Sequence, residues 1–323
     1  MRQWFSDLID PELPGMDEHS LRAKPVALLA MVAVIVVLAL IRYFGGFLDT
    51  ANAQGPTVLI GLAACMGILV AAHGRQAVAK VDRRTWWMLG AGIGAYMLFW
   101  YVGRSDAFDL VRREIFGPFS QSGRIASWVY FCVNNFALML LPAMIFAYAY
   151  DRTGPGDLGL LTASRNTLDR AVTPLWPVYL LAFSIVVPFV IQASMTEAFL
   201  DRYPLYDKVI GGDNTMTLGE LLLCESMYLL SFVFLEGFFR GYLLFSTERG
   251  LGVYCLLFMS VPYVCGHFGK PMPEAMGAIL AGTVLGWLAL KHRSIWLGAA
   301  LHVGIAMLMD GMALFGRGTS FGG

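Results

Sequence analysis

The sequence predicts an all-α fold, a polytopic transmembrane helical bundle of about nine spans, and three observations carry that prediction. Hydrophobic residues fill 57% of the 323 positions and charged residues only 14%, whereas roughly a quarter of a soluble domain is charged. The apolar residues gather in runs of about 20, the length a helix needs to cross hydrocarbon. Between the runs, Lys and Arg cluster in particular short loops. Helices are expected because an unclosed strand leaves backbone groups unpaired in lipid. Formal net charge is zero, and no basic stripe marks a nucleic-acid partner; the expected partners are the bilayer and a membrane protein or peptide.

Residues 1–24 form an N-terminal cytoplasmic or interfacial segment, in which Trp4, Phe5, Leu8 and Ile9 mix with acids and prolines. It is not a signal peptide, because Asp7, Asp10, Glu12, Asp17 and Glu18 precede any apolar run. A five-span region of unassigned role covers 25–195, with spans near 25–43, 55–73, 85–103, 125–149 and 173–195. An extramembrane loop follows at 196–217. The core, 218–315, holds spans near 218–246, 251–268, 273–291 and 294–315, and 316–323 is a tail.

Positive charge orients the bundle. Arg75, Lys80, Arg83 and Arg84 follow the second span, Arg152, Arg165 and Arg170 the fourth, and Lys291 and Arg293 the eighth. Asp49 to Gln54 has no Lys or Arg, and 196–217 is net acidic. The N-terminus is therefore expected in the cytoplasm and the C-terminus outside. Residues 104–124 break the pattern with Arg104, Arg112, Arg113 and Arg124. Phe108, Val111 and Ile115 there share one helical face, as in a helix lying along the interface. Gly90/Gly94 and Gly282/Gly286 have the spacing of close helix contacts. The five cysteines lie in apolar runs without CxxC spacing and read as packing residues.

The chemistry concentrates after residue 217. Glu236 and Arg240 stand one helical turn apart inside an apolar run, where a charge costs several kcal/mol unless it faces protein or water. His267 closes the seventh span and His302 lies inside the ninth. A carboxylate and two imidazoles on three helices can activate water and shuttle its proton. The bland alternative is an internal Glu236–Arg240 ion pair with two hydrogen-bonded core histidines. Glu225, three turns before Glu236, Glu274 after Pro273, and Asp310, two turns after His302, are possible supporting residues. Their structural alternatives are an interior polar residue, a helix N-terminal acid and an interfacial residue.

These residues resemble the CAAX-protease and bacteriocin-processing family, the Abi family of intramembrane glutamic endopeptidases. Its pattern is Glu-Glu-x-x-x-Arg, then Phe-x-x-x-His, then His-x-x-x-Asn or Asp. Here the three read Leu235-Glu236-x-x-x-Arg240, Tyr263-x-x-x-His267 and His302-x-x-x-Ala306. The resemblance covers about 218–315. It implies that Glu236 corresponds to the second acid, His267 to the partner of the base and His302 to the oxyanion donor. Leu235 and Ala306 depart from the pattern at the first acid and at the polar end of the third motif. The resemblance also implies peptide hydrolysis without a cofactor or metal, in a bacterial inner (plasma) membrane.

Three functions follow as expectations. The first is an intramembrane peptidase acting on a membrane or membrane-proximal protein, with Glu236 as base, His267 assisting, His302 stabilising the intermediate and Arg240 holding Glu236. The second is a catalytically silent relative acting as a scaffold, chaperone or immunity protein, suggested by Leu235 and Ala306. The third is a metal enzyme with Glu236, His267 and His302 as ligands, which the absence of a His-Glu-x-x-His motif disfavours.

Overall fold

The computed structural model describes residues 21–45, 53–161, 176–206 and 216–316, and every regular element among them is helical. The first two predicted spans are α1 (Pro25–Phe44) and α2 (Gln54–His73). The third is α3 (Arg83–Leu98), continued by a wider π-type turn at Phe99–Gly103. The charged stretch after it is α4 (Ser105–Phe116). The fourth span comprises α5 (Gln121–Asn134), a π-type stretch at Asn135–Leu140 and α6 (Leu141–Asp151); the fifth is α7 (Trp176–Ser194). The sixth runs through α8 (Leu218–Glu236), a π-type stretch at Gly237–Leu244 and α9 (Phe245–Leu251). Then come α10 (Cys255–Cys265), α11 (Met272–His292) and α12 (Trp296–Gly316).

Six stretches are long and apolar enough to cross a membrane, and one of them, Leu218–Cys265, contains both the sixth and the seventh predicted spans. That accounts for seven spans; with α3 and its π-type continuation and the shorter apolar helix Tyr179–Ser194, the architecture agrees with about nine. The predicted N-terminal segment as far as residue 20, parts of the loops at 46–52 and 207–215, Arg165, Arg170 and the tail from 317 lie outside the described residues.

The described residues fall into two compact units. One is drawn from Met1–Met97, Pro142–Thr173 and Gly237–Ile295, the other from Leu98–Leu141, Pro174–Glu236 and Trp296–Gly323.

In the first unit α10 packs against α1, α2 and α11. All eleven of its side chains are buried, as expected of a helix that is apolar all round. Gly282 and Gly286 of α11 let it approach closely: a Cβ at either would stand 3.0 Å from the Tyr263 ring or 2.8 Å from Leu256. The other predicted pair differs. Cβ atoms at Gly90 and Gly94 would meet nothing within 4 Å, and the tight contact is at Gly92, against Leu243 and Tyr242. Spacing alone cannot say which face of α3 turns inward.

The ends of this unit follow the predicted alternation of loops. The Arg84 guanidinium pairs with Asp151 and donates to the Ser246 carbonyl at 2.9 Å. Arg293 pairs with Glu248, and the Leu21 amide donates to the Gly250 carbonyl. All these groups belong to one set of loops. The other set meets where Tyr43 donates its hydroxyl to the Lys270 carbonyl at 2.7 Å.

In the second unit α8 packs against α5 and α12, α12 also packs against α7, and α4 lies on α5. Trp128, Tyr206, Tyr228, Cys132, Cys224 and Ala306 form its core. The Trp128 indole donates to the Cys224 carbonyl at 3.0 Å, which satisfies its N–H in an apolar setting. Outside that core, α4 exposes Leu110 and Ile115 while burying Arg112 against Asp109, an arrangement that suits a helix in the interface plane.

Candidate active site

Glu236 is the last residue of α8 and is fully buried in the second unit. A lone carboxylate at that depth would be severely penalised. It is matched by His302 of α12, whose Nδ1 lies 2.6 Å from Oε1. With the carboxylate ionised, Nδ1 carries the hydrogen and donates it, so Nε2 is the other working nitrogen of the ring. Phe232, one turn before Glu236, stacks on the His302 imidazole with centroids 5.3 Å apart and planes at 23°. Gly298, one turn before His302, presents only its backbone to the other carboxylate oxygen: a Cβ there would lie 2.9 Å from Oε2.

Further along the same two helices, the carboxyl groups of Glu225 and Asp310 lie near each other. Glu236 meets His302 at one end of the seam between α8 and α12, and Glu225 lies near Asp310 farther along it, so the two helices run antiparallel. Asp310 thus lies near Glu225, which is three turns from Glu236 in sequence. Ala306, between His302 and Asp310, is buried in the apolar core.

The first unit holds the remaining predicted residues. Arg240, in the π-type stretch, is buried with its guanidinium carbon 4.3 Å from the centre of the Tyr263 ring. This cation–π contact suits a planar, weakly hydrated ion. Tyr263 also lies against His267, with ring centres 4.8 Å apart. Nδ1 of His267 is 2.9 Å from the Tyr263 carbonyl oxygen. A carbonyl only accepts, so Nδ1 carries the hydrogen and Nε2 of the neutral ring presents a lone pair. Tyr263 therefore supports both Arg240 and His267, with its ring and its backbone. Glu274, in the first turn of α11, forms an ion pair at 2.6 Å with Lys270, which precedes the helix.

Sequence reasoning did not single out Phe232 or Gly298. The available signal was their i, i+4 relation to Glu236 and His302, which is too common among apolar helices to select them.

Residues 217–308 match the family described as type II CAAX prenyl endopeptidase Rce1-like. This stretch is similar to Rce1-like domains. It contains Glu225, Glu236, Arg240, His267, Glu274 and His302, while Asp310 lies just beyond the match. No curated protein and no solved structure matches the chain. Within the Rce1-like stretch, Leu235 is half-buried beside Glu236, and Ala306 offers His302 no polar neighbour one turn on.

Proposed function

We propose that the chain is an intramembrane peptidase of the CAAX-protease type, hydrolysing a membrane or membrane-proximal peptide with water activated by Glu and His. The observation that carries this reading is the buried Glu236–His302 pair inside the Rce1-like stretch. Glu236 is assigned as the base that takes the water proton. As the water oxygen bonds to the scissile carbonyl carbon, the carbonyl oxygen becomes an oxyanion. His302, protonated on both nitrogens, would donate Nδ1–H to Glu236 and Nε2–H to that oxyanion. The proton held by Glu236 then passes to the leaving amine as the C–N bond breaks. His267, through its Nε2 lone pair, assists with the water proton. Arg240, four residues after Glu236, is assigned the role of holding that carboxylate. The assignments of His267 and Arg240 rest on the family resemblance.

We also propose a bacterial plasma membrane and a cytoplasmic N-terminus, the latter on the distribution of Lys and Arg. The test is proteolysis of a quenched fluorescent farnesylated CAAX peptide, together with comparison of new protein termini in membranes carrying wild type or Glu236→Gln. Loss of termini in the variant at equal protein level supports the reading; identical termini overturn it.

One observation favours a second reading. Ala306 is packed in an apolar core and Leu235 occupies the position of the first acid, so two polar positions of the family are filled by hydrocarbon. A catalytically silent scaffold, chaperone or immunity protein would tolerate both. It would keep its binding partner in the Glu236→Gln variant.

A further inference from the structure

We propose that Gly298 and Phe232 are positioning residues for the Glu236–His302 pair, Gly298 through the side chain it lacks and Phe232 through its flat face. The inference rests on the peptidase reading only for its effect on rate; its effect on the pair itself can be measured separately.

Gly298 and His302 are one turn apart on α12, and Phe232 and Glu236 are one turn apart on α8. The two pairs interlock: the carboxylate is bounded by Gly298 and His302, and the imidazole by Glu236 and Phe232. A Cβ at position 298 would lie 2.9 Å from Oε2 and 3.5 Å from Cδ of Glu236. The first distance is shorter than real Cβ contacts allow, so any side chain there must displace the carboxylate. Glu236 is buried, and turning its carboxylate away from position 298 carries Oε1 off Nδ1. A displacement at Gly298 is thereby transmitted to the 2.6 Å contact.

Phe232 acts on the other partner. Its ring lies nearly parallel to the imidazole at 5.3 Å, covering one face and opposing tilt. With the ring plane held by Phe232 and its in-plane rotation held by Glu236, the direction of Nε2 is set. Ordinary core packing would also place a glycine and a phenylalanine in this seam, but it would not couple them to the hydrogen bond.

The experiment uses the full-length protein, labelled with ¹⁵N-histidine, in detergent micelles. A short N–H···O contact gives a far-downfield imidazole proton resonance. It is assigned to His302 by its disappearance in His302→Ala and in Glu236→Gln. The resonance is expected to move upfield or broaden in Gly298→Ala and in Phe232→Leu, and to persist in Phe232→Tyr, which keeps the ring. On the farnesylated CAAX peptide, Gly298→Ala is expected to lower kcat about tenfold or more with KM nearly unchanged, as a misplaced reacting group does.

An unchanged resonance in both Gly298→Ala and Phe232→Leu overturns the inference. If Gly298→Ala does not accumulate in membranes, the Phe232→Leu and Phe232→Tyr pair decides, because those variants add no bulk at position 298. If Glu236→Gln and His302→Ala leave cleavage intact, the peptidase reading fails, while the spectra still decide the positioning.

Discussion

His302 Nδ1 stands 2.6 Å from Glu236 Oε1, the carboxylate fully buried and the imidazole one-fifth exposed. The pair joins two antiparallel helices at one end of their seam. Removing one member strands the other, and breaking a buried pair in this way typically costs about 3–5 kcal/mol. His302→Ala is therefore expected to lower the thermal unfolding midpoint in detergent more than the double variant Glu236→Leu/His302→Ala, which leaves no carboxylate behind. Equal or greater loss in the double variant would show that the two groups are not coupled.

The contrast between Gly92 and Gly90 gives a sharp packing test. Gly92→Ala would drive a methyl group into Leu243 and Tyr242, an overpacking of about 1–3 kcal/mol. Gly90→Ala meets open space and gains helix propensity of about 0.5–1 kcal/mol. Thermal midpoints in detergent should therefore move in opposite directions for substitutions two residues apart on α3.

Outside the spans, Asp109 accepts hydrogen bonds from Arg112 and lies beside Arg113 as well, which holds its carboxyl below the ordinary value of 3.8. A folded-state value below the unfolded one stabilises the fold above the unfolded pKa, and the contribution is lost as pH falls through the folded pKa. Wild type should unfold at a higher temperature than Asp109→Asn at neutral pH. The gap should close as pH is lowered from about 4. A gap independent of pH would assign the effect to packing.

Ala306→Asn restores the polar end of the third family motif. Position 306 is buried among Trp128, Tyr228 and Cys224, so an amide there is expected to cost about 1–3 kcal/mol unless it is bonded. Membrane accumulation and thermal midpoint should fall. An unchanged midpoint would mean that the new amide has found a partner, with His302 one turn away as the first candidate.

Much of the fold was legible because the apolar runs have the length that hydrocarbon demands, and each predicted span is helical. The loops that meet in the first unit, Arg84 with Asp151 and Ser246, and Arg293 with Glu248, are those that charge alternation groups together. The π-type stretch at Gly237–Leu244 was not legible, since a change of hydrogen-bond register leaves no trace in composition. Gly90 and Gly94 misled because motif spacing does not reveal which face of a helix is inward. At the site, Glu236 and His302 were legible as costly residues at membrane depth. Their partners Phe232 and Gly298 were not, because an aromatic ring or a missing side chain is ordinary in a membrane helix. Asp310 and Glu274 were legible as possible supporting residues, but only packing shows that Glu274 pairs with Lys270 and that Asp310 lies near Glu225.

The central claim is that the Glu236 carboxylate takes a proton from water, and Glu236→Gln tests it most directly. The substitution keeps shape and removes the charge. Measured on the farnesylated CAAX peptide and on native membrane termini at matched protein level, cleavage is expected to fall by about a hundredfold or more, the scale of losing a principal catalytic group. Cleavage at the wild-type rate by Glu236→Gln would contradict the account.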